Sequence, residues 1–287
     1  MKRMLLLMLL SVMHQTLSAA PVYVEHDWLA GKLNEKNIVV VDMTAGGVQY
    51  LRYHIPGAVR LAFGDIVVKR KDKVSVRIPD AQLYKVLGSL GIQRDTHVVI
   101  YDDMGGLEAG RLFWELERIG HPDVSVLSGG LVKWVLSGLR VTNIAVKPLA
   151  VKYVSTKPGN TNEATLDTVL NNESATLLDV RSLDEYVGHP RYPRSGHIPG
   201  AKWWPWEANV DFERGFVPQS DKVVQGELTK LGVNDREKPV ILYCRSGHRA
   251  SQSYLTLRSL GYSDVKLYDA SMAEYGARKE LPLKKGK

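Results

Sequence analysis

The chain of 287 residues carries 38 Lys and Arg against 31 Asp and Glu, a formal charge of +7, with 44% hydrophobic residues and a single cysteine. The basic surplus is mild and no Lys/Arg run is interleaved with aromatics, which argues against nucleic acid as a partner and for attraction of small anions. One cysteine excludes an intrachain disulfide framework, so stability must come from burial, for which the chain has residues enough for two ordinary domains.

Residues 1–20 open on Lys2 and Arg3, continue through an apolar run over 4–13 and end on Ser18, Ala19 and Ala20, the pattern of a secretory signal peptide. The run is shorter than the ~20 apolar residues that span a bilayer, so the expectation is export to a periplasm without a stable membrane anchor. Over 21–140 short apolar runs alternate with helical periodicity: strands over 38–42, 98–101 and 124–127, helices over 81–90 and 110–119. This alternation predicts an α/β arrangement with a mainly parallel sheet. Residues 141–162 hold Pro148 and Pro158 with little periodicity and read as an extended linker. Residues 163–287 form a second domain, whose last four, Lys284 to Lys287, read as a solvated end.

The second domain repeats the first. Val98-Val99-Ile100-Tyr101-Asp102 matches Val240-Ile241-Leu242-Tyr243-Cys244 at an offset of 142, and Leu116-Glu117-Arg118-Ile119-Gly120 matches Leu257-Arg258-Ser259-Leu260-Gly261. Val40-Val41-Asp42 mirrors Leu177-Leu178-Asp179, and His54-Ile55-Pro56-Gly57-Ala58 mirrors His197-Ile198-Pro199-Gly200-Ala201. A period this long means duplicated domains, since solenoid repeats run ~20 to 50 residues.

Cys244 falls between a buried strand over 240–243 and a helix predicted over 250–260, in the loop Arg245-Ser246-Gly247-His248-Arg249. Sites in open α/β sheets form beyond the carboxyl ends of strands. Loop amides, a helix N-terminus and two arginines favour a thiolate there and suit an anionic substrate. The plainer reading makes Cys244 a small buried hydrophobe; flanking guanidinium groups and a glycine that permits unusual backbone angles weigh against it. Asp102 stands where the second copy has Cys244 and cannot carry sulfur, so the first domain is expected to be catalytically inactive and to shape a cleft or dock a partner.

These residues resemble the two-domain rhodanese sulfurtransferases with an inactive N-terminal half. The resemblance runs over about 25–276 and rests on Leu177-Leu178-Asp179-Val180-Arg181, on Gly196-His197-Ile198-Pro199-Gly200-Ala201, and on the Cys244 loop with its helix. It implies two tandem rhodanese-like domains, each a mainly parallel sheet flanked by helices. It also implies that Cys244 takes a sulfane sulfur from an anionic donor and, as a persulfide, hands it to a thiophilic acceptor such as cyanide or a thiol, with no metal or cofactor. Substrate binding would fall to Arg181 and to the loop residues Arg245, Ser246, Gly247, His248 and Arg249. The plainer reading of Arg181 pairs it with Asp184 or Glu185. Asp179 reads as a loop brace, His197 as a turn-packing residue, and Trp203, Trp204 and Trp206 as core or cleft wall.

Two departures bear on the donor. Glu185 stands where mercaptopyruvate-type members carry a second substrate arginine, and a carboxylate there should repel a keto acid; thiosulfate is therefore the favoured donor, with a protein or small-molecule persulfide beside it. Residues 270–275 depart from the family's glycine-rich segment, which leaves the cleft floor open. Two rival readings remain: a noncatalytic exported module that carries a persulfide or binds a redox protein partner, and a cysteine phosphatase or arsenate reductase. Against the latter, four residues separate Cys244 from Arg249, one fewer than the phosphatase loop requires.

Overall fold

The computed structural model describes residues 20–155, 162–192 and 194–286. The expected signal segment, apart from Ala20, and residues 156–161 of the expected linker lie outside the described residues.

The first half contributes β1 (Tyr23–Val24), α1 (His26–Ala30), β2 (Ile38–Asp42), α2 (Gly47–Arg52), β3 (Val59–Arg60), β4 (Val67–Lys69), β5 (Ser75–Arg77), α3 (Asp80–Ser89), β6 (His97–Tyr101), α4 (Ala109–Arg118), β7 (Val124–Leu127) and α5 (Gly130–Leu136). The second contributes β8 (Glu163–Ala164), α6 (Leu166–Leu170), β9 (Thr176–Asp179), α7 (Leu183–Val187), β10 (Lys202–Trp203), β11 (Val210–Asp211), β12 (Val217–Pro218), α8 (Asp221–Lys230), β13 (Val240–Tyr243), α9 (His248–Ser259), β14 (Val265–Tyr268) and α10 (Ser271–Tyr275). Each half builds a five-stranded parallel sheet, ordered β1-β7-β6-β2-β3 and β8-β14-β13-β9-β10, so the strands correspond one to one. The repeat legible in the sequence is thus a repeat of topology. The antiparallel ribbons β4-β5 and β11-β12 stand apart from the two sheets.

The two apolar runs that anchor the repeat, β6 and β13, take the middle of their sheets, as strands covered on both faces must be apolar throughout. Val240, Ile241, Leu242 and Tyr243 are all buried. β13 pairs in parallel with β9 (Leu177↔Ile241, Asp179↔Tyr243) and with β14 (Val240↔Val265). This register brings the carboxyl ends of β9 and β13 side by side, Asp179 next to the residue before Cys244.

The halves meet through α4 and α9, the helices that follow the two central strands. They approach closely because Gly110 lacks a side chain; a Cβ there would fall 2.7 Å from the Ser251 carbonyl oxygen. Leu112 and Phe113 share one apolar cluster with Tyr254 and Leu255 across the junction. Polar contacts border it: Arg111 pairs with Asp269, Arg77 Nε donates to both Glu163 oxygens at 3.0 and 2.9 Å, and the Tyr254 hydroxyl donates to Glu117 at 2.6 Å.

Residues 143–155 contain no helix or strand, but they lie on the first half. Val151 N donates to Gly88 O at 2.9 Å, and the buried Tyr153 places its hydroxyl 3.0 Å from His121 Nδ1. The expectation of a solvated C-terminal end is corrected for its first residues. His197 and Lys284 exchange backbone hydrogen bonds of 2.9 Å, and Lys285 Nζ donates to the Tyr192 carbonyl at 3.1 Å. Among the described residues no helix is long and apolar enough to cross a membrane.

Candidate active site

Cys244 follows the last residue of β13 and is 1% exposed. The helix behind it begins at His248, two residues before the position expected from periodicity, so His248 and Arg249 belong to its first turn. Gly247 explains the early start: at φ +76° it caps the helix in a left-handed conformation that only glycine adopts freely. A side chain there is excluded twice over, since a Cβ would lie 2.3 Å from Asp269 Oδ1 and 3.0 Å from Arg111 Nη1. The loop therefore rests on the ion pair that joins the two halves.

Ser271 closes the loop from behind. Its buried hydroxyl accepts from Cys244 N at 3.1 Å and Gly247 N at 3.3 Å and donates to Tyr268 O at 2.6 Å. Met272 N and Ala273 N donate to the carbonyls of Cys244 and Arg245 at 3.1 and 2.9 Å. The segment over 270–275 thus braces the cysteine loop by backbone and hydroxyl bonds. Among the described residues no acceptor meets the amides of Arg245, Ser246, His248 and Arg249. Free amides at a helix start form a seat for negative charge.

The arginines differ in their freedom. Arg249 is part-buried and forks onto Glu185, with Nη1 to Oε2 at 2.6 Å and Nη2 to Oε1 at 3.0 Å. Glu185 is held in turn by the capping box of α7, accepting from Ser182 N at 3.3 Å and Ser182 Oγ at 3.2 Å. Burial pushes its carboxyl up, but the hydrogen bond and charge of Arg249 outweigh burial and hold it below the usual range. Arg181 is buried and pairs with Asp179 rather than with Asp184 or Glu185: Nε lies 2.9 Å from Oδ1 and Nη2 2.5 Å from Oδ2, while Nη2 also donates to Gly196 O at 2.8 Å. Adjacency at the end of β9 sets this pairing, because a carboxylate two residues back also accepts the Arg181 amide at 3.1 Å. Arg245 is exposed and has no ion pair among the described residues. Ser246 is half-buried. His248 places Nε2 3.2 Å from Glu108 Oε2 without hydrogen-bond alignment, and its ring lies 4.3 Å from that of Phe63. Both neighbours come from the first half.

A cleft of about 730 Å³ opens beside the loop, lined by Arg181, Glu185, Tyr192, Arg245, Met272 and Ala273 among others. A separate crevice of about 590 Å³ between the halves contains no residue of the cysteine loop. His197 is buried, stacked on Tyr186 with ring centroids 3.7 Å apart. Trp204 and Trp206 are in the core, and Trp203 donates to Arg181 O at 2.9 Å.

The corresponding loop of the first half is filled by its own side chain. Asp102, 1% exposed, accepts from Met104 N and Gly106 N on Oδ1 and from Glu108 N and Ala109 N on Oδ2, at 2.8 to 3.0 Å. A carboxylate occupies the amide seat that the Cys244 loop leaves open. Sequence reasoning placed Asp102 at the right position but missed that occupancy. It also missed the Ser271 brace and the Glu185–Arg249 fork. Their only sequence signals are a serine in an unfamiliar segment and a carboxylate in place of an expected arginine.

Comparison with known proteins agrees with the duplicated architecture. Both halves match the rhodanese-like domain, over residues 25–137 and 163–278. The chain is 33% identical to a sulfur carrier protein, TtuD, of Thermus thermophilus, covering 92% of this chain and 97% of that one. It is 30% identical to a thiosulfate sulfurtransferase of Azotobacter vinelandii, covering 93% and 98%. Among solved structures, EanB in complex with ergothioneine superposes with a TM-score of 0.81 at 23% identity, over 93% of this chain and 70% of that one.

Proposed function

The chain belongs to the rhodanese-like family of sulfurtransferases, and from that premise we propose that it moves a sulfane sulfur through a persulfide on Cys244. The observation that carries this reading is the chain's single thiol, set beyond the central strand of the second sheet in a loop whose free amides form a seat for negative charge. The Cys244 thiolate attacks the outer sulfur of an anionic donor such as thiosulfate or a persulfide. A new S–S bond forms, and the donor's old sulfur bond breaks with its electron pair leaving on sulfite or on the donor thiolate. The persulfide anion then gives its outer sulfur to cyanide or a thiol and the Cys244 thiolate returns. Splitting the transfer into two displacements is nucleophilic catalysis. Arg245, Ser246, His248 and Arg249 supply the amide seat, Gly247 turns the chain behind it, and Arg181 faces the donor from the cleft wall. Thiosulfate is the donor to test first because a thiosulfate sulfurtransferase is a relative along nearly the whole chain.

The test is intact mass spectrometry of the purified protein after incubation with thiosulfate. One added sulfur is expected, lost again on adding cyanide or dithiothreitol, and none in Cys244→Ser. A Cys244→Ser protein that gained and transferred sulfur as the parent does would overturn the reading. A second reading, a carrier that hands sulfur to a protein or redox partner, is favoured by the relation to the sulfur carrier protein; multiple turnovers with cyanide against a single stoichiometric discharge separate the two. Export rests on the composition of residues 1–20, and N-terminal sequencing of protein recovered from a periplasmic fraction tests it.

A further inference from the structure

The cation nearest in sequence to the end of the cysteine loop is not free to receive a dianion. Both outer nitrogens of Arg249 are taken by Glu185, at 2.6 and 3.0 Å. The pair is part-buried, with side chains 23% and 31% exposed. Glu185 does not swing freely either, because Ser182 fastens the same carboxylate from its amide and hydroxyl. The second cation, Arg181, is likewise committed to Asp179 and Gly196 O. Arg194, also on the cleft wall, gives its nitrogens to the backbone carbonyls of Gly276, Leu281 and Arg278, which leaves Arg245 as the lining arginine whose side chain has neither an ion pair nor a hydrogen bond among the described residues. That cleft, about 730 Å³, falls in the ~300 to 1,000 Å³ range of sites for small organic molecules, and Tyr192, Met272 and Ala273 give it apolar wall. The charge and the space both suit something other than an inorganic dianion.

Resting on the sulfur-transfer reading, we propose that Glu185 is a specificity-determining residue that sets the donor's charge: by holding Arg249 it disfavours doubly charged thiosulfate and favours organic donors with one negative charge at the reacting group, such as persulfides and thiosulfonates. A dianion at the amide seat meets the Glu185 carboxylate across the loop mouth and gains no fork from Arg249 unless the ion pair opens. A singly charged organic donor is served by the amides and Arg245, and its carbon portion occupies the cleft. With methanethiosulfonate the step balances as before: the Cys244 thiolate bonds to the outer sulfur, the S–S bond of the donor breaks, and methanesulfinate leaves with the electron pair.

The experiment is steady-state sulfur transfer to cyanide from thiosulfate and from methanethiosulfonate, at one pH and ionic strength, for the parent, Glu185→Gln and Glu185→Asp. Glutamine keeps the capping-box hydrogen bond of α7, so the variant isolates the charge. The kcat/KM ratio of thiosulfate to methanethiosulfonate is expected to rise about 10-fold in Glu185→Gln, the scale of one charge-assisted hydrogen bond to an anion. Glu185→Asp should bring the ratio back toward the parent's. An unchanged ratio in Glu185→Gln, or a fall with both donors alike, overturns the inference while leaving the parent's persulfide and the sulfur-transfer reading intact. Failure of the parent to take sulfur from either donor, with no mass gain on Cys244, overturns both.

Discussion

Ser271 shows how much of the loop rests on one hydroxyl. It sits at φ +51°, an unusual backbone for a residue with a side chain, and its Oγ serves two loop amides and one carbonyl. Replacing it by alanine leaves the Cys244 and Gly247 amides without their acceptor in a buried setting, at about 1 to 3 kcal/mol for such a group. Ser271→Ala should therefore lower stability by that amount in urea denaturation. It should also slow sulfur loading of Cys244 in a stopped-flow assay under conditions where the variant is folded. Unaltered stability and loading would mean that the backbone bonds from Met272 and Ala273 suffice to brace the loop. Cys244, its strand and the glycine at the cap were legible in the sequence, because each is a local signal. The residue that holds them was not, since Ser271 lies 27 positions away from Cys244 and nothing in a lone serine announces its partner.

At the scale of elements, the two central loops are the same device with different fillings. The loop after β13 leaves the amides of Arg245, Ser246, His248 and Arg249 open among the described residues, whereas in the loop after β6 the Asp102 carboxylate takes four. From sequence, Asp102 reads as a relic whose removal should leave turnover nearly intact. Its hydrogen bonds give it a structural task, because the loop it organises carries Glu108 toward His248, and Gln252 Nε2 lies 3.4 Å from Gly105 O of the same loop. Asp102→Ala orphans four amides, of which those of Gly106 and Ala109 are buried with it, and should destabilise the protein by about 3 kcal/mol or more. Asp102→Asn, retaining one acceptor oxygen, should fall between. Chemical denaturation of the three proteins checks the order. Turnover per folded molecule then tells whether the first half influences the second beyond holding it in place. The three helices expected from apolar periodicity, over 81–90, 110–119 and 250–260, correspond to α3, α4 and α9 within two residues, while the shorter helices carried too few turns to show a period. The start of α9 was displaced because the φ of Gly247, rather than the apolar pattern, decides where the helix begins.

For the molecule as a whole, a shared apolar cluster and the Arg111–Asp269 pair join the two similar domains. Histidines held neutral contribute an acid response, opposed over the same range by Glu115, whose carboxyl burial pushes up to about 7. His121 donates Nε2–H to Thr96 O at 2.8 Å and receives the Tyr153 hydroxyl on Nδ1 at 3.0 Å, an arrangement for the neutral ring. Burial holds its pKa below the ordinary 6.5, the bond to Thr96 opposing; burial likewise lowers those of His26 and His97. The unfolded chain therefore binds protons at a higher pH than the folded one. The stability these rings contribute is present above about pH 6.5 and is lost as pH falls through their lower folded values. Thermal melts between pH 8 and pH 5, about the range in which an ordinary histidine changes charge, should show a falling midpoint on the acid side. The slope should be shallower in His121→Gln. An equally steep slope in that variant would assign the acid response to other groups.

Sequence alone determined the duplication, the α/β class, the parallel sheets and the place of Cys244 at a strand end, because alternation, apolar runs and glycine punctuation are short-range physics repeated twice along one chain. It also marked Glu185 as the odd residue at its position. Only the tertiary structure decided which charges meet. Arg249 finds Glu185 across 64 positions, and Arg111 finds Asp269 across 158. Such pairings depend on how α4, α7 and α9 pack in space, and the strength of an ion pair depends on distance and burial, neither of which is carried by residue type or spacing.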